Sequence, residues 1–76
     1  MYLYHESTYE DDEFFAVISY KPYEKDKANR LVRKIFLTLY LNYEIEDDGN
    51  EISFPVKGWI EYKQVKEVFW QFINRV

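Results

Sequence analysis

The chain has 76 residues, no cysteine and a formal net charge of −4 at pH 7. A chain of this length forms one domain with a marginal core, because it buries only about 60% of the surface that its unfolded form exposes. The lack of cysteine excludes disulfides and thiolate metal sites. Apolar side chains must therefore supply the stability, above all six Phe, eight Tyr and two Trp, and some of these rings should reach the surface.

The N-terminal residues and the hydropathy together predict a cytoplasmic protein. Residues 1–6 have neither the basic segment nor the long apolar segment of a secretory signal. No apolar run approaches the roughly 20 residues that a membrane span requires.

The charges are segregated along the chain. Ten of the 14 acidic residues lie in two clusters, 6–13 and 44–51, and all ten basic residues lie outside them, in 21–34 and 57–75. The distribution of charge therefore says more about the surface than the net value does.

The first third of the chain predicts a β-hairpin. Residues 2–5 can form a short strand and residues 13–21 a longer one, with an acidic loop between them. The second strand is apolar at both parities, with Phe14, Ala16 and Ile18 on one side and Phe15 and Val17 on the other. This pattern predicts a strand that is covered on both sides, or one with an adhesive outer face.

Pro22 stops the sheet and suits the first turn of a helix. A helical stripe then follows, and we place this helix at about 23–40 with Asn42 near its C-terminal cap. The stripe comprises Ala28, Leu31, Val32, Ile35 and Leu39. Residues 36–41 also alternate as a strand would, so a strand is a second interpretation of that segment.

A second hairpin is predicted around Asp48-Gly49, a dipeptide that favours a two-residue turn. With that turn, Ile45 faces Ile52 and Tyr43 faces Phe54. Pro55 cannot donate a ladder hydrogen bond, so the strand at 51–56 should be an edge strand or end there. A second helix follows at about 60–75; its stripe is Val65, Val68, Phe69, Phe72 and Val76, and Trp70 falls outside it.

These elements predict an α+β fold of order ββαββα, with an antiparallel sheet of about four strands and two helices packed on one face. We expect one domain over 1–76. A shift of 37 residues lays the apolar stripe of the first helix onto that of the second. The chain therefore also fits a quasi-repeat of two ββα units, at about 1–40 and 41–76.

The sequence predicts a protein that is not an enzyme. His5 is the only imidazole, and none of Ser7, Ser19 and Ser53 lies in a nucleophile-elbow setting. The run 47–51 lacks the ligand spacing of a calcium-binding EF-hand loop and is explained by a tight turn. We expect no cofactor and no metal, with a weak divalent-ion site at 44–51 as the alternative to a plain turn.

The acidic clusters predict a small binding protein that inhibits or modulates another macromolecule. Carboxylates beside tyrosines can imitate the phosphates and bases that a nucleic-acid-binding protein recognises, and charge complementarity speeds encounter. Small size and acidity also suit virus-encoded inhibitors as a broad class; the alternative is that the acidic loops only confer solubility. The predicted contact residues are Glu10, Asp11, Asp12, Glu13, Glu44, Glu46, Asp47 and Asp48, with the aromatic residues Tyr9, Trp59 and Trp70.

Two further interpretations stay open. A basic patch of Lys27, Arg30, Arg33 and Lys34, together with aromatic residues exposed on the sheet, suits a nucleic-acid-binding module, although the net charge of −4 opposes it. The sequence favours the alternative that the patch is a solvated helix face paired to the acidic loops. Self-association is the other interpretation, and the sequence favours a homodimer no more than a monomer.

Overall fold

The computed structural model describes residues 1–8 and 13–74. Four antiparallel strands and two helices follow the order ββαββα, which confirms the predicted fold class. The elements are β1 (Tyr2–Thr8), β2 (Glu13–Ser19), α1 (Lys25–Leu39), β3 (Glu46–Asp47), β4 (Glu51–Val56) and α2 (Trp59–Ile73), with a 3₁₀ turn at Pro22–Glu24 before α1. The predicted quasi-repeat stays a prediction.

The strand order in the sheet is β1-β2-β4-β3, so the two hairpins meet where β2 pairs with β4. The core lies between one face of the sheet and the two helices. The sheet contributes Ala16, Ile18, Tyr20, Ile52, Phe54 and Val56, and the helices contribute Ala28, Leu31, Val32, Ile35, Tyr62, Val65, Val68 and Phe69. Tyr62 belongs to the buried stripe of α2, which the sequence analysis missed, and Trp70 lies outside that stripe as predicted.

The end of α1 decides between the helix and strand interpretations of 36–41. The helix continues to Leu39 and is closed by Tyr40, which adopts the left-handed conformation at φ 55°. The N–H of Leu41 donates to the carbonyl of Phe36 at 3.0 Å, a bond typical of such helix ends. The helix thus ends where it was predicted to, and its left-handed cap is Tyr40, two residues before Asn42.

The second hairpin differs from its prediction in register and length. Asp47 pairs with Ile52, whereas Ile45 was predicted to pair there, and β3 contains only two residues. The N–H of Asp48 donates to the carbonyl of Glu51 at 3.1 Å, so Gly49 and Asn50 are the central residues of the turn. The side chains of Asp47 and Asp48 accept hydrogen bonds from the backbone N–H groups of this turn and hold it there. Because the shift is by two residues, Glu46 and Ser53 still share one face of the hairpin, as predicted.

The sequence predicted that β4 is an edge strand or ends near Pro55. β3 lies outside β4, so β4 is not an edge strand, and it ends at Val56, one residue after Pro55. β3 pairs only with Ile52 and Ser53, however, so it does not extend as far as Pro55. The carbonyl of Glu51 points towards β3, and backbone groups alternate along a strand, so the backbone position of Pro55 also faces outward. The missing N–H of Pro55 thus costs the sheet no ladder bond.

The segment 41–45 is not a strand, but it packs against the core. Leu41 and Tyr43 are half-buried there. The hydroxyl of Tyr43 donates to Glu61 of α2 at 2.9 Å and so fixes the segment beside the helices. Leu37, by contrast, points to solvent.

Candidate interaction surface

The face of the sheet opposite the helices is covered by no other element of the described chain, and we call it the open face. The strand register shows that every second residue of each strand faces this side. They are Tyr2, Tyr4, Glu6 and Thr8 of β1, Glu13, Phe15, Val17 and Ser19 of β2, Glu51, Ser53 and Pro55 of β4, and Glu46 of β3. Phe15 and Val17, the second set of apolar residues in β2, therefore lie on the open face, which is why both sides of this strand are apolar.

A tyrosine lies across the open face and covers its centre. The hydroxyl of Tyr4, in β1, donates a hydrogen bond to the carboxylate of Glu51, in β4. β2 lies between these two strands, and Val17, the partner of Tyr4 in the register, is only 2% exposed. The Glu51 carboxylate accepts this bond and thereby raises the pKa of Tyr4, with burial adding to the effect.

Carboxylates from both hairpins gather beside this tyrosine. A shallow groove is lined by Glu6, Val17, Glu46, Asp47, Asp48, Glu51 and Ser53, five of which carry carboxylates. Glu6 comes from β1 and the other four from the second hairpin, so the strand order is what brings them together. Such oxygens accept strong hydrogen bonds from Arg and Lys side chains.

Two of the predicted contact residues also hold the structure together. Asp48 accepts hydrogen bonds from the backbone N–H groups of Asn50 and Glu51, which lower its pKa. Asp47 accepts from the N–H of Gly49 at 2.9 Å and from the hydroxyl of Tyr20 at 2.6 Å. The latter bond raises the pKa of Tyr20 to about 12.

The other predicted acidic residues divide into two groups. Glu13, Glu44 and Glu46 are exposed, and Glu13 and Glu46 lie on the open face. Tyr9, Glu10, Asp11 and Asp12 lie outside the described residues. Tyr4, Glu6 and Glu51 were not among the predicted contact residues, although the alternation of Tyr2, Tyr4 and Glu6 along β1 indicated a shared face.

The two predicted tryptophans lie in the helix layer, away from the carboxylate groove. Trp59 packs at the start of α2 against His5, with ring centroids 4.5 Å apart, and against Phe14 at 4.9 Å. Trp70 packs edge-on against Phe69 at 5.8 Å. Both remain about half exposed. The aromatic residues that bond to carboxylates of the groove are instead Tyr4, which bonds to Glu51, and Tyr20, which bonds to Asp47.

The predicted basic patch lies on α1, on the opposite side of the sheet from the open face. Lys27, Arg30, Arg33 and Lys34 are all exposed. Within residues 1–8 and 13–74 the single ion pair joins the amino group of Met1 to Glu24 at 3.4 Å, so the patch is not paired with the described acidic residues. The exposed tyrosines of the sheet lie with the carboxylates, which separates them from the patch.

No protein-family model, curated protein or solved structure matches this chain. In the part of the chain that the structure describes, no three acidic, His or Cys side chains are arranged to hold a metal ion. Neither of the two described helices has the length and hydrophobicity to cross a lipid bilayer.

Proposed function

We propose that this protein is a non-enzymatic binding protein whose open face docks on a basic surface of another macromolecule and inhibits or modulates it. The observation that carries the proposal is the groove in which the open-face carboxylates of Glu6, Glu46 and Glu51 meet those of Asp47 and Asp48 from the adjoining turn. Glu51 is bonded there to Tyr4, and no helix covers the open face. The separation of charge between the two sides of the sheet supports the proposal, because the exposed basic residues of α1 lie on the side opposite the open face.

The arrangement of the groups suits recognition of Arg and Lys side chains. Glu6 and Glu46 are exposed and stand on either side of Val17 and Ser53 in the groove. Arg and Lys donate charge-assisted hydrogen bonds to such carboxylates, and the tyrosine rings offer faces for cation–π contact. A partner that binds nucleic acid has a basic surface of this kind, so occupation of that surface would compete with nucleic acid.

The proposal is tested with two variants that change the net charge equally. Glu6→Lys/Glu46→Lys reverses two carboxylates of the open face and spares Asp47, Asp48 and Glu51, which hold the turn and Tyr4. Asp26→Lys/Glu67→Lys reverses two exposed carboxylates of α1 and α2 and is the matched control. Partners captured from native-host lysate are quantified by mass spectrometry, and circular dichroism checks that both variants fold.

We expect the open-face variant to lose the partner that the wild-type chain and the control variant retain. The retained partner should dissociate as salt rises, because contacts between exposed charges are screened. Its own nucleic-acid binding should fall when the wild-type protein is added. Equal capture by the open-face variant and the wild-type chain would contradict the proposal.

The nucleic-acid-binding module remains the alternative, but its two parts lie on different faces of the molecule. A gel shift at low salt separates it from the first proposal. Binding of a single-stranded oligonucleotide that is lost in Arg30→Glu/Arg33→Glu would favour the α1 patch, and binding that survives this change would count against it. The proposal includes a cytoplasmic location, and the origin of the chain as a viral inhibitor stays a hypothesis within it.

A further inference from the structure

β1 forms one edge of the sheet, and no strand within residues 1–8 and 13–74 pairs with its outer side. The strand order is β1-β2-β4-β3, so β1 pairs with β2 alone. It runs over seven residues, each opposite a residue of β2, and contains neither proline nor lysine. The edge at β3, by contrast, is only two residues long. A long and regular edge of this kind is a template on which a further strand can add.

The hydrogen bonds of the sheet identify the backbone groups that lie on this outer side. The N–H of Tyr20 donates to the carbonyl of Asn50, just before β4, so the backbone of Tyr20 faces β4. Because backbone groups alternate along a strand, Val17, three residues earlier, faces β1 and its register partner Tyr4. The N–H and C=O groups of Tyr4 therefore point inward. The residues of β1 whose N–H and C=O groups point outward are Leu3, His5 and Ser7.

The two sides of this edge present different side chains. On the open face, Tyr2, Tyr4 and Glu6 lie along the edge, and the charged residues of that face are all glutamates. On the helix side, the ring of His5 lies 4.5 Å from that of Trp59, which remains 55% exposed. The side chains of an added strand alternate in the same way. Those beside Glu6 would face carboxylates, and those beside His5 would face the indole ring.

We propose that β1 binds an extended segment of the partner as an additional strand of the sheet. The outward backbone groups of β1 hold the segment, and its alternate side chains give specificity. Arg or Lys side chains meet Glu6 and the ring of Tyr4, and apolar side chains between them pack on Trp59. The basic character of the segment rests on the proposed function. A second copy fits this edge less well, because joining two β1 strands places two acidic open faces side by side.

The first test measures amide hydrogen exchange in the full chain by NMR. The probe is a synthetic peptide of seven residues, the length of β1, in which arginine and valine alternate. In the free protein the outward N–H groups of Leu3, His5 and Ser7 should exchange faster than those of Tyr4 and Glu6, which bond to β2. At a peptide concentration about ten times its dissociation constant, the outward groups should exchange about 10-fold more slowly. A peptide with glutamate in place of arginine is the matched control and should give no protection.

The second test removes one of the outward donors. Ser7→Pro deletes an N–H that forms no bond to β2, and an edge strand accepts a proline at such a position. Ser7→Ala keeps this N–H and is the matched control. We expect Ser7→Pro to weaken binding of the arginine–valine peptide about 10-fold, because a backbone hydrogen bond is lost. Ser7→Ala should bind the peptide as the wild-type chain does, and circular dichroism checks that both variants fold.

The inference is overturned by unchanged exchange of the outward N–H groups, by equal protection from the glutamate peptide, or by equal binding to Ser7→Pro and Ser7→Ala. Protection that rises with protein concentration in the absence of peptide would also overturn it and assign the edge to a second copy. The proposed function survives each of these results if Glu6→Lys/Glu46→Lys still loses its partner. Protection by the arginine–valine peptide together with equal partner capture by that variant would contradict the proposed function and leave β1 as a binding edge.

Discussion

The two faces of the sheet are both buried at β2, but by different physical means. On the helix side, Ala16 and Ile18 are excluded from water by the apolar side chains of α1 and α2. On the open face, Val17 is excluded by a tyrosine that is held in place by a hydrogen bond to a carboxylate. The first kind of burial depends on packed hydrocarbon, whereas the second depends on two polar groups and their protonation. The open face should therefore contribute less stability and respond more strongly to substitution of single polar atoms.

The largest effect is expected on the helix side. Phe54 is 1% exposed and packs edge-on against Phe36 with ring centroids 5.0 Å apart. Phe54→Ala should lower the free energy of unfolding by about 3–5 kcal/mol, because it removes a buried ring and leaves a cavity. Urea denaturation followed by circular dichroism measures this loss. Leu37→Ala, at an exposed site, should change the value by less than about 0.5 kcal/mol, and a similar loss in both variants would contradict the assignment of the core.

The next effect concerns the centre of the open face. Val17→Ala removes two buried methyl groups beneath Tyr4 and should lower the free energy of unfolding by about 1.5–2 kcal/mol. The same denaturation experiment applies. A change of less than about 0.5 kcal/mol in the free energy of unfolding would show that Val17 is exposed to solvent and that Tyr4 does not cover it.

A smaller effect is expected when the hydroxyl that holds the tyrosine is removed. Tyr4→Phe keeps the ring but loses the hydrogen bond to Glu51, so the free energy of unfolding should fall by about 1 kcal/mol at neutral pH. Tyr2→Phe, at a neighbouring exposed tyrosine, is the matched control. Equal values for the two variants would mean that the bond to Glu51 contributes no stability.

The stability at high pH should also depend on a tyrosine of the helix side, because Tyr20 bonds to a carboxylate as Tyr4 does. Tyr20 donates to Asp47, and its pKa rises from an ordinary 10.0 to about 12. The folded state therefore holds a proton that the unfolded state releases between these values, so this contribution is complete below pH 10 and lost as the pH rises towards 12. Tyr20→Phe should show a shallower decline of stability in that window, measured by urea denaturation at each pH. If the loss of stability between pH 10 and 12 were the same in this variant, other tyrosines would be its cause.

Periodicity and turn chemistry predicted the element order, both helices and the faces of the strands, because these depend on residues close in sequence. The register of the second hairpin depended on hydrogen bonds from the turn to Asp47 and Asp48, which compete with the Asp-Gly turn that the dipeptide favours. The carboxylate groove required the order β1-β2-β4-β3, since only that order places Tyr4 and Glu6 within reach of the second hairpin. Strand order is a long-range property, and no local pattern in the chain specifies it.

The position of Pro55 has a consequence for what happens when many copies are crowded together. Unprotected strand edges act as templates on which further strands add, and this is a common route to aggregates. The part of β4 that β3 leaves uncovered presents a proline ring where an incoming strand needs an N–H donor. Growth of the sheet from this side is therefore blocked at Pro55, so the short β3 does not expose the protein to fibril-like assembly at that edge.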